Sequence, residues 1–226
     1  MQLIDANKAQ QGMTIVAQSQ FAGKGQRGKV WLDAPGQSLL MSVIVVPGRL
    51  IQEQFVFNAA IAVAIANVLQ NLTKEWRIHV KWPNDIIIND KKAGGILIEN
   101  VLRGSKWANS VIGLGLNVKQ QRFPEDLPFA TSLKIASGID FNMTQLRDAL
   151  RESIILCTIC PPPAEKIMAR YNELLYKRGQ KQSFSSNEGS WHATLLKVHT
   201  DGTLEVQLTD GTTTHYHHGQ VAWEWG

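Results

Sequence analysis

Residues 53–72, opening Glu53-Gln54-Phe55-Val56-Phe57-Asn58-Ala59-Ala60, are rich in alanine and contain neither glycine nor proline. A run of that length and composition is too long for a strand and is expected to form a buried helix. Its neighbours demand a sheet. Residues 13–17, 39–46, 78–81, 86–88, 96–98 and 111–118 are short, β-branched runs bounded by glycine, proline, asparagine or aspartate. Residues 144–159 and 164–177 read as two further helices, parted by Pro161-Pro162-Pro163, and residues 2–11 as the last turns of an amphipathic helix ending before Gly12. The expected fold is therefore α+β, a mostly antiparallel sheet backed by helices.

The chain changes character near residue 183. Four short strand-like runs follow, at 191–198, 204–208, 212–217 and 221–225, with Asp201-Gly202 and Asp210-Gly211 as hairpin turns. The expected division is a main domain at 1–178 and a small C-terminal barrel, of SH3-like type, at 183–226. Two cysteines among 226 residues exclude a disulfide framework and point to a reducing cytoplasm. Apolar runs such as 38–47 fall short of the roughly 20 residues that span a bilayer, and no basic head precedes an apolar stretch at the N-terminus. No membrane association is expected. The net charge of +4 comes from basic residues spread along the chain rather than gathered on one element, so no nucleic-acid partner is expected either.

Four segments carry chemistry. In Gly23-Lys24-Gly25-Gln26-Arg27-Gly28-Lys29-Val30-Trp31, glycines free the backbone to fold closely over a ligand, and Lys24, Arg27 and Lys29 supply positive charge for an anion such as a phosphate. The ending of a Walker A loop is absent, and a strand rather than a helix follows, which excludes a dinucleotide fingerprint. In Lys81-Trp82-Pro83-Asn84-Asp85, Pro83 stiffens the turn. Asp85 there suits a magnesium ion or a ligand hydroxyl, and Lys81 a phosphate or carboxylate. In Lys91-Lys92-Ala93-Gly94-Gly95, an ammonium stands beside two glycines where a small ligand could lie on bare backbone. Gly113-Leu114-Gly115-Leu116-Asn117 repeats the device, with Asn117 as a two-way hydrogen-bonder. Singly, each segment equally describes an ordinary hairpin, Asx turn or bulge.

Taken in order, these segments resemble the biotin protein ligases, from about Gly12 to the C-terminus, and Lys-Trp-Pro-Asn-Asp is highly specific to that family. The resemblance implies a fold like that of the class II aminoacyl-tRNA synthetases and biotin ligases. It also implies a two-step reaction: ATP and biotin, with Mg2+, give biotinyl-5′-adenylate and pyrophosphate, and a lysine of a biotin carboxyl carrier protein then takes the biotinyl group. By match, Gln20 lies at the biotin ring, while Lys24, Gln26 and Lys29 meet biotin and the adenylate phosphate, with Arg27 adding catalytic charge. Gly23, Gly25 and Gly28 shape that loop and Trp31 packs over the ligand. Lys92 bridges the biotin carboxylate and α-phosphate, beside Gly94 and Gly95. Lys81, Asn84 and Asp85 lie near the adenylate, Asp85 also near the metal, and Asn117 lies against the nucleotide.

Two departures qualify the match. Lys24 and Gln26 stand where the family often has arginines, and lysine lacks the bidentate fork. The family's Ser-Thr-Asn segment, which binds the ureido end of biotin, would fall before Met1, so the expectation is a chain lacking it. The alternatives are a lipoate or octanoate transferase of the same superfamily, or a non-catalytic biotin- or adenylate-binding module. A homodimer is one assembly the resemblance allows. Elsewhere, Cys157-x-x-Cys160 sits at the wrong end of its helix for an activated thiol. His215, His217 and His218 suggest a metal but lack a third ligand placed near them.

Overall fold

The computed structural model describes the chain except for Met1, Asn7, Lys29, Glu188 and Gly226, and it does not describe the side chains of Gln2, Asp5 and Arg27. Six strands form one antiparallel sheet in the order β1 (Thr14–Ala17), β4 (Ser38–Val45), β8 (Lys106–Asn117), β7 (Lys91–Arg103), β6 (Asp85–Ile88), β5 (Ile78–Lys81). Helix α2 (Gln54–Gln70) packs against β5, with α4 (Met143–Ile159) and α5 (Ala164–Glu173) beside it. Central β4 is almost wholly buried, which its apolar residues on both faces require. The alternation divides the work. Leu39, Met41, Val43, Ile112, Leu114 and Leu116 face the helical core, while Leu40, Ser42, Gly113 and Gly115 between them border a cleft.

Several expectations shift. The helix expected over 2–11 is only α1 (Gln2–Asp5). Gly12, at φ +78°, is not its cap but the start of edge pairing, since its N–H donates to the Ile44 carbonyl at 2.8 Å. The run at 96–98 is the middle of the long strand β7, which turns at Gly104 (φ +59°) into β8. Helix α5 stops at Glu173, because the chain then bonds to β5: Val80 N–H donates to Leu174 O and Tyr176 N–H to Val80 O. Residues 51–70 do reach the length and hydropathy of a membrane-crossing helix, contrary to the expectation from apolar runs. Here that helix is the core, with Phe57, Ile61, Ile65 and Leu69 all but inaccessible.

The C-terminal part is a five-stranded antiparallel sheet in the order β12 (Thr213–Tyr216), β11 (Leu204–Leu208), β10 (Gly189–Val198), β9 (Lys181–Ser186), β13 (Ala222–Trp223). Strand β9 was not expected, its polar Lys-Gln-Ser-Phe-Ser-Ser sequence hiding it. This sheet shares one continuous buried core with the rest of the chain, through Phe184, Leu195, Val206 and Trp223. Asn172 of α5 joins the two parts, accepting from Val198 N–H at 2.7 Å and donating to Val198 O at 2.9 Å.

Candidate active site

The cleft floor is made flat by glycine. Gly95 of β7 pairs directly with Gly115 of β8, and Leu97 with Gly113. Trp31 lies on this floor: a Cβ at Gly115 would stand 2.8 Å from the indole Cε2, and one at Gly95 would stand 3.5 Å from its Cζ3. Trp31 arrives from a short hairpin, β2 (Gly23–Lys24) with β3 (Val30–Trp31), in which Gly23 opposes Trp31. A side chain at Gly23 would collide with the Trp31 carbonyl and with Gln20 Oε1. The glycine requirement inferred from the sequence thus has a steric cause at this position.

Lys92 reaches the same floor through a bulge. Asp85 pairs with Gly95 and Ile86 with Gly94, but Ile87 pairs with Lys92, so Ala93 is an extra residue in β7. The extra residue reverses the alternation and turns Lys92 to the side of Asp85. Its Nζ lies 2.7 Å from Asp85 Oδ1, and 5.9 Å from the centre of the Trp31 ring. Both side chains are partly open to solvent, at 34% and 22%. The backbone of Lys92 is fixed independently, donating to Phe129 O at 2.7 Å and accepting from Thr131 N–H at 2.8 Å.

The Lys-Trp-Pro-Asn-Asp turn is held by the structure around it. Asn84 Nδ2 donates to Ile96 O at 2.6 Å, and the Trp82–Pro83 bond is cis. Buried Tyr171 donates to Pro83 O at 3.0 Å; burial, with the charge of Asp85 nearby, pushes its phenol up, keeping it a neutral donor. The Trp82 indole donates to Gly202 O at 3.0 Å. Lys81, expected at a phosphate or carboxylate, lines the cleft but turns to the C-terminal sheet. Its buried Nζ donates to Trp223 O at 2.8 Å and lies 4.3 Å from the centre of the Trp225 ring. Burial there costs a charge solvation, and the carbonyl and the indole faces offset part of that cost.

Of the remaining candidates, Gln20, Lys24, Gly25 and Gln26 border the cleft. Gly94 lies beneath the sheet surface, where a Cβ would stand 2.9 Å from Gly115 O. Gly28 supplies the left-handed turn of the loop at φ +76°. Asn117, expected against the nucleotide, is committed elsewhere: buried, it donates to Thr131 O at 3.0 Å and accepts from Gln120 at 3.2 Å. It lies on the same side of β8 as Gly113 and Gly115, but these bonds take up its amide. Lys29 and the Arg27 side chain lie outside the described residues.

Three polar groups of the loop are buried without a hydrogen-bond partner: Gln26 Oε1, the Trp31 indole nitrogen and both carboxylate oxygens of Asp33. Buried polar atoms are rarely left so. Two of the three, Gln26 and Trp31, border the cleft, which fits a polar ligand that the loop closes over. The magnesium expected at Asp85 fits less well. A hard cation needs several oxygen donors, and Asp85 is already paired with the Lys92 ammonium. These residues do not form a resident Mg2+ site. The sequence reading also missed the far wall of the cleft, formed by Ser185, Trp191, Tyr216 and Gln220 of the C-terminal sheet; the signal was in Lys81 and Trp82, whose polar atoms bond to that sheet.

A model of the biotin/lipoate A/B protein ligase family matches residues 2–117, just over half of the chain. The bifunctional ligase/repressor BirA of Bacillus spizizenii is 36% identical over 154 residues, which are 67% of this chain and 46% of that protein. The biotin–[acetyl-CoA-carboxylase] ligase of Paracoccus denitrificans is 34% identical over 106 residues, 46% of this chain and 43% of that protein. The matches thus span less than half the length of these curated relatives. Among solved structures, the biotin protein ligase of Aquifex aeolicus in complex with biotin and ATP superposes with a TM-score of 0.78 at 20% identity, over 96% of this chain and 91% of that one. It shares the α+β architecture. The chain belongs to the biotin/lipoate A/B protein ligase family.

Proposed function

We propose that this chain is a biotin–protein ligase, activating biotin with ATP and passing the biotinyl group to a lysine of a biotin carboxyl carrier protein. The observation that carries the reading is the Lys92 ammonium, turned by the Ala93 bulge toward a glycine floor on which the Trp31 ring of the loop rests. In the first step a carboxylate oxygen of biotin attacks the α-phosphorus of MgATP, an O–P bond forms, and pyrophosphate leaves. Two anions must approach each other, and Lys92 lies where it can neutralise both while the charge builds up. In the second step the carrier amine attacks the acyl carbon, AMP leaves, and the amine loses a proton. Between the steps the mixed anhydride must be shielded from water, which the Trp31 hairpin can do by closing over it. The Mg2+ enters with the nucleotide. The names of the Bacillus and Paracoccus relatives, and the biotin and ATP in the Aquifex complex, support this choice within the family. Two free cysteines, Cys157 and Cys160, accord with a cytoplasmic setting.

The test is ATP–pyrophosphate exchange driven by biotin, with lipoate in parallel. Exchange with biotin and not lipoate is the expected result; exchange with lipoate alone would move the reading to the other branch of the family. Trp31 tests the shielding role. Trp31→Ala removes a ring that lies directly on the floor, and its loss should weaken ligand retention by about 1–2 kcal/mol, roughly 5–30-fold. Released biotinyl-adenylate should rise accordingly when no carrier is present. Unchanged release would show that another part of the loop covers the ligand.

A further inference from the structure

The C-terminal sheet brings together two histidines and a glutamate that are scattered in sequence. His215 of β12 stands directly across from Glu205 of β11. His199 follows the end of β10, in a turn held by His199 N–H to Thr203 O and Gly202 N–H to His199 O, both 3.0 Å. His199 Nε2 lies 2.5 Å and His215 Nε2 3.5 Å from the same oxygen, Glu205 Oε2. The two rings meet edge to face with centroids 5.0 Å apart. One ligand atom from each of the three residues falls within 4.8 Å of the others.

We propose that His199, Glu205 and His215 form a binding site for a divalent transition-metal ion of the Zn2+ type. Two imidazole nitrogens and one carboxylate are a donor set that zinc takes, with water able to complete four-coordination. Imidazole also disfavours the hard cations Mg2+ and Ca2+. Donors about 2.0–2.1 Å from a tetrahedral ion stand about 3.3 Å from each other. The His215–Glu205 separation of 3.5 Å is close to that, and the 2.5 Å His199–Glu205 contact must open slightly. The side chains can adjust, because His199 is 35% and His215 51% exposed, while Glu205, at 15%, is the fixed member. Lys197 is the competitor, its Nζ 3.5 Å from Glu205 Oε2; being half exposed, it can swing into solvent when an ion arrives.

The other three tail histidines, His192, His217 and His218, do not belong to the cluster. His218 packs edge-on against Trp82, and the backbone N–H of His217 donates to Gln220. A bound ion would tie the end of β10 to β11 and β12, stiffening the sheet that walls the cleft; His215 itself borders the outer rim of that cleft. The site does not depend on the ligase reading, and its test needs neither biotin nor ATP.

The experiment is a Zn2+ titration of untagged, chelator-stripped protein by equilibrium dialysis and calorimetry, without nucleotide, which would itself bind the metal. One Zn2+ per chain at micromolar affinity or tighter is expected, with Mg2+ in place of zinc giving no such binding. Loss of a mere outer-sphere partner costs metal affinity about 10–100-fold, so His199→Ala/His215→Ala should cost more than about 100-fold. His215→Asn, at an exposed position, and the imidazole nitrogen resonances of the unaltered protein keep the test independent of whether the double variant folds. Both His199 and His215 ring signals should shift on adding Zn2+. Failure to bind zinc, unmoved ring signals, or full binding by the double variant would overturn the proposal; the last would assign the metal to other groups, such as Cys157 and Cys160.

Discussion

Lys92→Ala is expected to reduce biotin-dependent ATP–pyrophosphate exchange by at least about 10²–10³-fold, the range seen when a preorganised donor to a developing charge is removed. The loss should fall on kcat more than on KM, because the ammonium is needed most when carboxylate and phosphate are closest. Folding should be little affected. The half-open ion pair with Asp85 is worth at most about 1 kcal/mol, and the backbone bonds to Phe129 and Thr131 do not use the side chain. Lys92→Arg should recover only part of the rate, keeping the charge but not the shape. The cleft offers no ready substitute among the described lysines that border it: Lys81 is bonded to Trp223 O, and Lys24 sits on the exposed hairpin. Near-full exchange by Lys92→Ala would remove this residue from the mechanism.

Gly202→Ala is expected to lower stability more than a surface substitution in a turn ordinarily would. Gly202 has φ +89°, and a Cβ there would stand 2.6 Å from Phe55 Cδ2 and 2.8 Å from its Cγ. The left-handed conformation costs about 1–2 kcal/mol for a residue with a Cβ, and overpacking the ring costs about 1–3 kcal/mol more. At about 2–4 °C per kcal/mol for a domain of this size, thermal unfolding should come several degrees earlier. The damage should also reach the site. Phe55 packs edge-on against Tyr171, 5.6 Å between centroids, and Tyr171 holds Pro83; Gly202 O itself accepts from Trp82. Displacing the turn therefore loosens the segment that carries Asp85. A variant that melts with the parent and retains exchange would show that this junction is not tightly packed in solution.

Much of the fold was legible because its periodicities are strong. The helix at 54–70, the strands of the main sheet and the hairpins at Asp201-Gly202 and Asp210-Gly211 all follow from local pattern. Polar Lys181–Ser186 escaped because its partners, β10 and β13, decide that it is a strand. Helix α5 was read too long because nothing local marks Glu173 as its end; pairing with Val80 does.

The structure brings Trp31, Lys92 and the glycines picked from the sequence to one floor, where only glycine leaves the backbone bare enough for the indole to lie on it. Lys81 and Asn117 could not be placed. Both are polar residues at strand ends, and an ammonium or an amide is satisfied equally by a ligand or by a carbonyl of its own chain. The sequence by itself determined the α+β pattern, the glycine floor and the kinds of groups around it. Only the tertiary structure decided which groups face the cleft, because one bulged residue, Ala93, reverses the alternation that sequence periodicity would assign to Lys92, and because the C-terminal sheet takes Lys81 and Trp82 for its own attachment.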